Sequence, residues 1–223
     1  MAKRQCDPTS GSIGLQVYVP ARNGQVVRIR AIPSNPKTAE QTAVRTMLAR
    51  WAAGWRVLTE EQRLAWTAAA LTHKSKSRLG QSGPLTGEQL YVRINVNLNI
   101  CGEPAEALPP DPPAFTANMV TGLELLNPGG VVSIKLTCSG TSTAFNWISA
   151  CPALSAGRGR PYGMNALGVM PSVGNGKSNI TTLYSAKFGT PTAGKKIIVG
   201  THQILNGWAD GGLLFSGIVP ASS

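Results

Sequence analysis

The sequence is poor in charge, histidine and cysteine. Only 14% of its 223 residues are charged, against about a quarter in a typical globular domain. Its two histidines and four cysteines have no zinc-ligand spacing, so we expect no metal site and no cofactor. Cys138 and Cys151 flank a predicted hairpin and could pair if oxidised, and buried free thiols are the alternative.

Catalytic motifs are also missing. The chain has no Walker-type loop, no GxSxG, no HExxH and no GxGxxG between a strand and a helix. Acids are scarce beyond residue 110, which argues against paired-carboxylate chemistry. His202 and Asp210 could belong to a hydrolytic triad, but their spacing supplies no nucleophile. We therefore predict a non-enzymatic protein without catalytic, cofactor-binding or metal-binding residues.

Long hydrophobic runs are absent as well. No stretch approaches the roughly 18 apolar residues of a membrane span. Lys3 and Arg4 are followed by polar residues 5–8, where the apolar run of a signal peptide should begin. We predict synthesis in the cytoplasm and a final location in a virion or extracellular assembly, reached by lysis or particle release.

Positive charge is concentrated near the N-terminus. The net charge is +11, and residues 1–80 hold thirteen Lys or Arg against four Asp or Glu, a net +9. Such a segment could bind nucleic acid, an anionic membrane or an acidic protein, or its cations could line solvated helix faces. Residues 74–85 and 157–160 are the local candidates for phosphate contact, with a solvated loop and a hairpin tip as the respective alternatives.

Three Thr-x-x-Gln pairs predict helix starts in the first half of the chain. They are Thr38/Gln41, Thr59/Gln62 and Thr86/Gln89, each with the spacing of a capping box. The first two helices form a predicted helical hairpin, the second running from Glu60 to about His73. The third helix, over 88–101, is disputed by strict apolar–polar alternation, which is typical of a strand.

The apolar positions predict which helix faces are buried. The first helix has a stripe of Val44, Met47, Leu48, Trp51 and Trp55. On the second, Leu64, Ala68 and Leu71 share one face, with Trp66 to the side. We expect Trp51, Trp55 and Trp66 to form the core of the hairpin, with base stacking as the functional alternative.

The remaining patterns predict strands. Residues 11–32 alternate on both sides of Asn23-Gly24, as in a two-stranded hairpin that must lie against its own helices or a neighbouring subunit. Residues 103–113, with five prolines, predict an extended linker. Short runs between turns then predict an antiparallel β-sandwich, with strands at 115–120, 131–138, 145–151, 197–202 and 213–219 and a short helix at 180–188.

The predicted fold class is α+β. The expected domains are a β-hairpin and helical module over 1–102, the linker over 103–113, and the sandwich over 114–223.

A resemblance adds to these predictions. The pattern VVRxR at 26–30, NPxT at 35–38, Gln41 and Arg45, followed by LTxxQRxAW at 58–66, resembles a group of uncharacterised bacterial and phage proteins with this N-terminal module. The C-terminal half resembles immunoglobulin- or fibronectin-like domains. The resemblance brings no enzymatic residues.

The leading functional hypothesis is a structural subunit that self-assembles into a virion, phage-like particle or extracellular filament through its N-terminal segment. Low charge and the 25 Gly and 16 Pro suggest weakly polar surfaces that a partner can cover. The alternatives are a nucleic-acid-binding or packaging protein that uses residues 1–80, and an adhesive or carbohydrate-binding sandwich that uses Trp147 or Trp208.

Overall fold

The structure is a computed structural model that describes residues 10–21, 24–31, 35–75, 83–140 and 142–222. These residues form a mixed α+β fold, which confirms the predicted fold class. The chain divides into two compact units, Met1–Val44 and Arg45–Ser223. The boundary between these units does not fall within residues 103–113, so the role of that segment as a domain boundary stays a prediction.

The N-terminal sheet is an antiparallel meander of three strands. They are β1 (Gly11–Ile13), β2 (Gln16–Ala21) and β3 (Gly24–Ile29). The register of β2 and β3 aligns Gln16 with Ile29 and Val19 with Val26. The predicted hairpin is thus confirmed and gains a third strand, while Asn23 of its predicted turn lies outside the described residues.

Three helices follow, α1 (Ala39–Val57), α2 (Glu60–Ala70) and α3 (Gly87–Cys101). Thr59 and Thr86 each form a reciprocal capping box with the glutamine three residues later. Thr38 Oγ1 accepts a hydrogen bond from the Gln41 amide at 3.3 Å. The predicted helix starts are therefore confirmed.

The segment with strand-like alternation is the helix α3. Its buried residues Leu90, Ile94 and Leu98 are spaced by four, and Gly102 ends it in the left-handed conformation with φ 78°. An alternation with a period of two also contains the i, i+4 spacing of one helix face. The cap and the terminal glycine therefore decide between the two structures.

The helices pack around the ring of Tyr91 on α3. The ring centroids of Trp66, Trp55 and Trp51 lie 5.4, 5.7 and 6.4 Å from that of Tyr91. Trp51 and Trp66 are buried and Trp55 is half-buried. The predicted tryptophan core is confirmed.

The predicted apolar face of α2 is wrong. Leu64 and Leu71 are 60% and 67% exposed, whereas Trp66 and Ala70 are fully buried. In a helix of 11 residues, one indole that fills the space beside Tyr91 outweighs two leucines and determines which face packs. On α1, Val44 and Leu48 of the predicted stripe are also exposed, whereas Trp51, which shares their face of the helix, is buried.

The proline-rich segment, residues 103–113, is fixed by three buried side chains. Asn95 Oδ1 accepts from the Glu106 amide at 2.9 Å, and Asn95 Nδ2 donates to the Glu106 carbonyl at 3.2 Å. The Trp66 indole donates to the Ala107 carbonyl at 2.9 Å. The indole of Trp208, a residue of the C-terminal half, donates to the Pro110 carbonyl at 3.0 Å. The segment predicted as a linker is therefore attached to helices and strands along its length.

The described C-terminal half contains nine strands and one helix. They are β4 (Val120–Leu126), β5 (Ser133–Cys138), β6 (Phe145–Ala150), β7 (Leu154–Ser155), β8 (Asn165–Val169), β9 (Lys177–Asn179), α4 (Thr181–Phe188), β10 (Lys195–Leu205), β11 (Trp208–Ala209) and β12 (Leu213–Ile218). One antiparallel sheet has the order β4-β5-β9. In the other, β10 pairs with β6, β7, β11 and β12, and β6 pairs with β8.

The two C-terminal sheets share one hydrophobic core. It contains Ile134 and Leu136 from one sheet and Ile148 and Val199 from the other. Tyr184 of α4 is buried in the same core, and its hydroxyl donates to the Cys151 carbonyl at 3.0 Å. These sheets agree with the predicted sandwich, and α4 confirms the predicted short helix.

The first sandwich strand begins later than predicted. The predicted strand at 115–120 is wrong, because β4 starts at Val120. Phe115 packs with the helical core, and the Asn118 side chain accepts from the Val120 amide at 2.9 Å. The strands β7, β8, β9 and β11 were not predicted, since each has five residues or fewer.

We expect Asn95→Leu to lower the free energy of unfolding by about 3 kcal/mol, because it leaves the Glu106 amide and carbonyl without their buried partner. Asn99→Leu, at an exposed position one turn later on α3, is the matched control and should change it by less than about 0.5 kcal/mol. Urea unfolding measures both. Equal effects would contradict the assigned role of Asn95.

Candidate functional site

The tryptophans considered as binding platforms lie mostly in the core. Trp208 is buried, bonds to Pro110, and has its ring centroid 4.4 Å from that of His73. Trp51 and Trp66 are buried around Tyr91. These three side chains therefore cannot stack on a sugar or a base. Trp147 of β6 is half-buried.

The described residues of the two candidate phosphate-binding segments make local contacts. At the ends of 74–85, the Ser75 amide donates to the Gly83 carbonyl at 2.9 Å, and residues 76–82 lie outside the described part of the chain. In 157–160, the Arg158 guanidinium lies over the Tyr162 ring at 5.3 Å from its centroid. Neither segment gathers described cations around a common point.

The candidate acid of a triad closes a turn. Asp210 Oδ1 accepts from the Gln203 amide at 2.9 Å and from the Gly212 amide at 3.1 Å. Within the described ranges, no group of three or more His, Cys, Asp or Glu could hold a metal ion. Cys138 and Cys151 are buried free thiols, and burial raises the pKa of Cys138.

The N-terminal sheet exposes its large apolar side chains. Ile13, Leu15 and Ile29 are 70%, 75% and 82% exposed, and Val26 and Val27 are also exposed. Gln16 of β2 pairs with Ile13 of β1 and with Ile29 of β3, so the side chains of Gln16, Ile13 and Ile29 share one face of the sheet. Val19 and Val26 are partners on the opposite face. Apolar residues thus occupy both faces of the sheet.

A cleft of about 500 Å³ lies in the second unit, between the end of α3, the proline-rich segment and the strands β6 and β10. We call it the acidic cleft. It is lined by Leu98, Cys101, Glu103, Pro104, Glu106, Leu108, Pro109, Pro110, Thr143, Phe145, Ile204, Leu205, Asn206 and Gly207. Among the described residues, this lining includes two glutamates and no Lys, Arg or His.

The electrostatic environment of the acidic cleft is negative. α3 ends there, and the C-terminal end of a helix is the negative end of its dipole. Partial burial, followed by the charge of Glu103, raises the pKa of Cys101 to about 11. Leu98, Phe145 and Ile204 add apolar wall. The cleft is therefore suited to a cationic group with apolar neighbours.

A second groove lies between α1 and α3. It has a volume of about 430 Å³ and is lined by Leu48, Val92 and Val96, with Glu88 and Arg93 among the polar residues. Because its two charged side chains have opposite signs, it does not select a charged ligand.

The acidic cleft and the exposure of the N-terminal sheet were not predicted from the sequence. One signal for the cleft was present, since Glu103, Glu106 and Asp111 cluster in a chain whose net charge is +11. The exposure had no sequence signal, because alternation does not tell whether a face is covered.

We expect acid to destabilise the protein through His73. Burial, and then the charge of Arg93, lowers the pKa of His73 below 6.5. Stability is therefore full above pH 6.5 and falls as the pH drops toward the folded-state pKa. His73→Phe, which keeps an aromatic ring beside Trp208, should flatten the decline of melting temperature between about pH 7 and pH 5. Identical slopes for both proteins would contradict this.

The chain matches no family model, no curated protein and no solved structure. In the described residues, no helix is long and apolar enough to span a membrane. The resemblances to bacterial and phage proteins and to immunoglobulin-like domains therefore stay predictions.

Proposed function

We propose that this chain is a non-enzymatic structural subunit that assembles with copies of itself into a virion, a phage-like particle or an extracellular filament. The observation that carries the proposal is the N-terminal sheet, whose apolar side chains are exposed on both faces. Such a sheet is completed when a neighbouring copy covers it.

Small sheets depend on a covered apolar face. The three strands have 3, 6 and 6 residues, and a sheet of this size needs burial of one face for stability. Full burial of a Leu or Ile side chain contributes roughly 1.5–3 kcal/mol. Covering Ile13, Leu15 and Ile29 would thus contribute about 5 kcal/mol or more. A subunit contact made here therefore stabilises the sheet as well.

The outer strands also provide hydrogen-bonding edges. The sheet order is β1-β2-β3, so β1 and β3 each have one edge that no described strand occupies. Such edges can pair with a strand of another chain, as in β-augmentation. Exposed apolar side chains and available edges together favour assembly over a monomeric role.

Nucleic-acid binding through residues 1–80 is the second candidate. It is less well supported, because Arg50 of α1 is separated by about 140° from Arg45 and by about 120° from Arg56 around the helix, while Arg45 and Arg56 lie within about 20° of each other. Moreover, the Arg50 guanidinium lies over the Trp51 ring, 5.0 Å from its centroid. Arg50 therefore does not extend Arg45 and Arg56 into a continuous basic stripe that could follow a phosphate backbone.

The proposal is tested by light scattering and electron microscopy of nuclease-treated protein over a concentration series. We expect regular assemblies for the wild type and at least about a tenfold higher concentration for half-assembly of Ile29→Lys. Val57→Lys is the matched control, because Val57 is 85% exposed at the end of α1 and should leave assembly unchanged.

A wild type that stays monomeric at all concentrations would contradict the proposal. Assemblies that dissociate on nuclease treatment would favour the nucleic-acid alternative instead.

A further inference from the structure

We infer that the acidic cleft binds the β3 segment, residues 26–30, of a second copy of this chain. The inference rests on the proposed self-assembly and names the two surfaces that meet. The segment Val-Val-Arg-Ile-Arg is cationic and β-branched, and the cleft is lined by two carboxylates and an apolar wall.

The charges of the two surfaces are complementary. Glu103 and Glu106 line the cleft, no basic residue of the described ranges joins them there, and the negative end of the α3 dipole adds to their charge. Arg28 and Arg30 are exposed on both sides of the exposed Ile29. A cationic segment in the cleft gains charge-assisted hydrogen bonds to the carboxylates, whereas a phosphate backbone would be repelled.

The apolar parts also fit. Leu98, Phe145 and Ile204 in the cleft offer a wall for β-branched side chains that are otherwise in water. A second stretch in which basic residues precede isoleucines, Lys195–Leu205, cannot serve, because Ile197 and Ile198 are buried in the sandwich core. The β3 segment combines exposed cations with exposed apolar side chains.

This contact fixes the type of symmetry. The surface that one copy offers, its β3 segment, differs from the surface that it contacts on the next copy. Such a heterologous contact produces a ring where the rotation closes and an open helical polymer where it does not. The product is therefore a filament or a closed ring, and a dimer in which two copies exchange their segments is the smallest such ring.

Reversal of charge on each surface tests the inference. Glu103→Lys/Glu106→Lys and Arg28→Glu/Arg30→Glu should each raise the concentration for half-assembly of the full chain at least about tenfold. Glu60→Lys/Glu61→Lys makes the same change in net charge on α2 and is the control, expected to assemble like the wild type. Circular dichroism and melting temperature verify that each variant is folded.

A mixture of the two reversed proteins gives the sharper result. In the mixture, the reversed cleft of the first variant can bind the reversed segment of the second, and the native cleft of the second can bind the native segment of the first. Both contacts join opposite charges, so assembly should return at wild-type concentrations. Failure of the mixture with both variants folded, or unimpaired assembly of the cleft variant, would overturn the inference while leaving self-assembly intact. A monomeric wild type would instead remove the proposed function itself.

The groove between α1 and α3 is the competing receptor, and Val92→Arg separates the two sites. Assembly unchanged in this variant supports the acidic cleft. Loss of assembly in Val92→Arg, with retention in Glu103→Lys/Glu106→Lys, would assign the contact to the groove.

Discussion

The hydrogen bonds to the proline-rich segment are the constraint on which the second unit depends. Five prolines in residues 103–113 remove amide donors, so the segment cannot join a helix or a sheet by its own backbone. Its carbonyls still need partners. Trp66 of α2, Asn95 of α3 and Trp208 of β11 supply them. One extended segment thereby ties two helices to the C-terminal strands.

The acidic cleft is a consequence of this attachment. The proline-rich segment forms one wall, and the turn between β10 and β11 forms another by close contact with α3. Gly207 has φ +77°, and a Cβ there would lie 2.6 Å from Ile94 Cγ2. Asn97 Nδ2 donates to the Gly207 carbonyl at 2.7 Å. Since both walls are bonded to α3, the cleft is formed before any ligand arrives, which lowers the entropic cost of binding.

Features encoded by neighbouring residues were predictable, and features that depend on distant contacts were not. The capping boxes at Thr59 and Thr86 satisfy their own helix ends, so their meaning does not depend on tertiary structure. The buried face of α2 depends on the space around Tyr91, and the position of Phe115 depends on the helical core against which it packs. The sequence pattern contains neither. The acidic cleft joins Leu98 to Asn206, residues that only the fold brings together.

The distribution of charge has a consequence for how copies would meet. A net charge of +11 makes two chains repel at long range, but beyond about 8 Å this repulsion is screened at physiological ionic strength. Carboxylates and guanidinium groups that are partly desolvated in a cleft are screened much less. Moderate salt would therefore weaken the repulsion between copies more than the contact between β3 and the acidic cleft. Low charge density elsewhere also limits the repulsion between copies, because most of the remaining surface adds neither attraction nor repulsion.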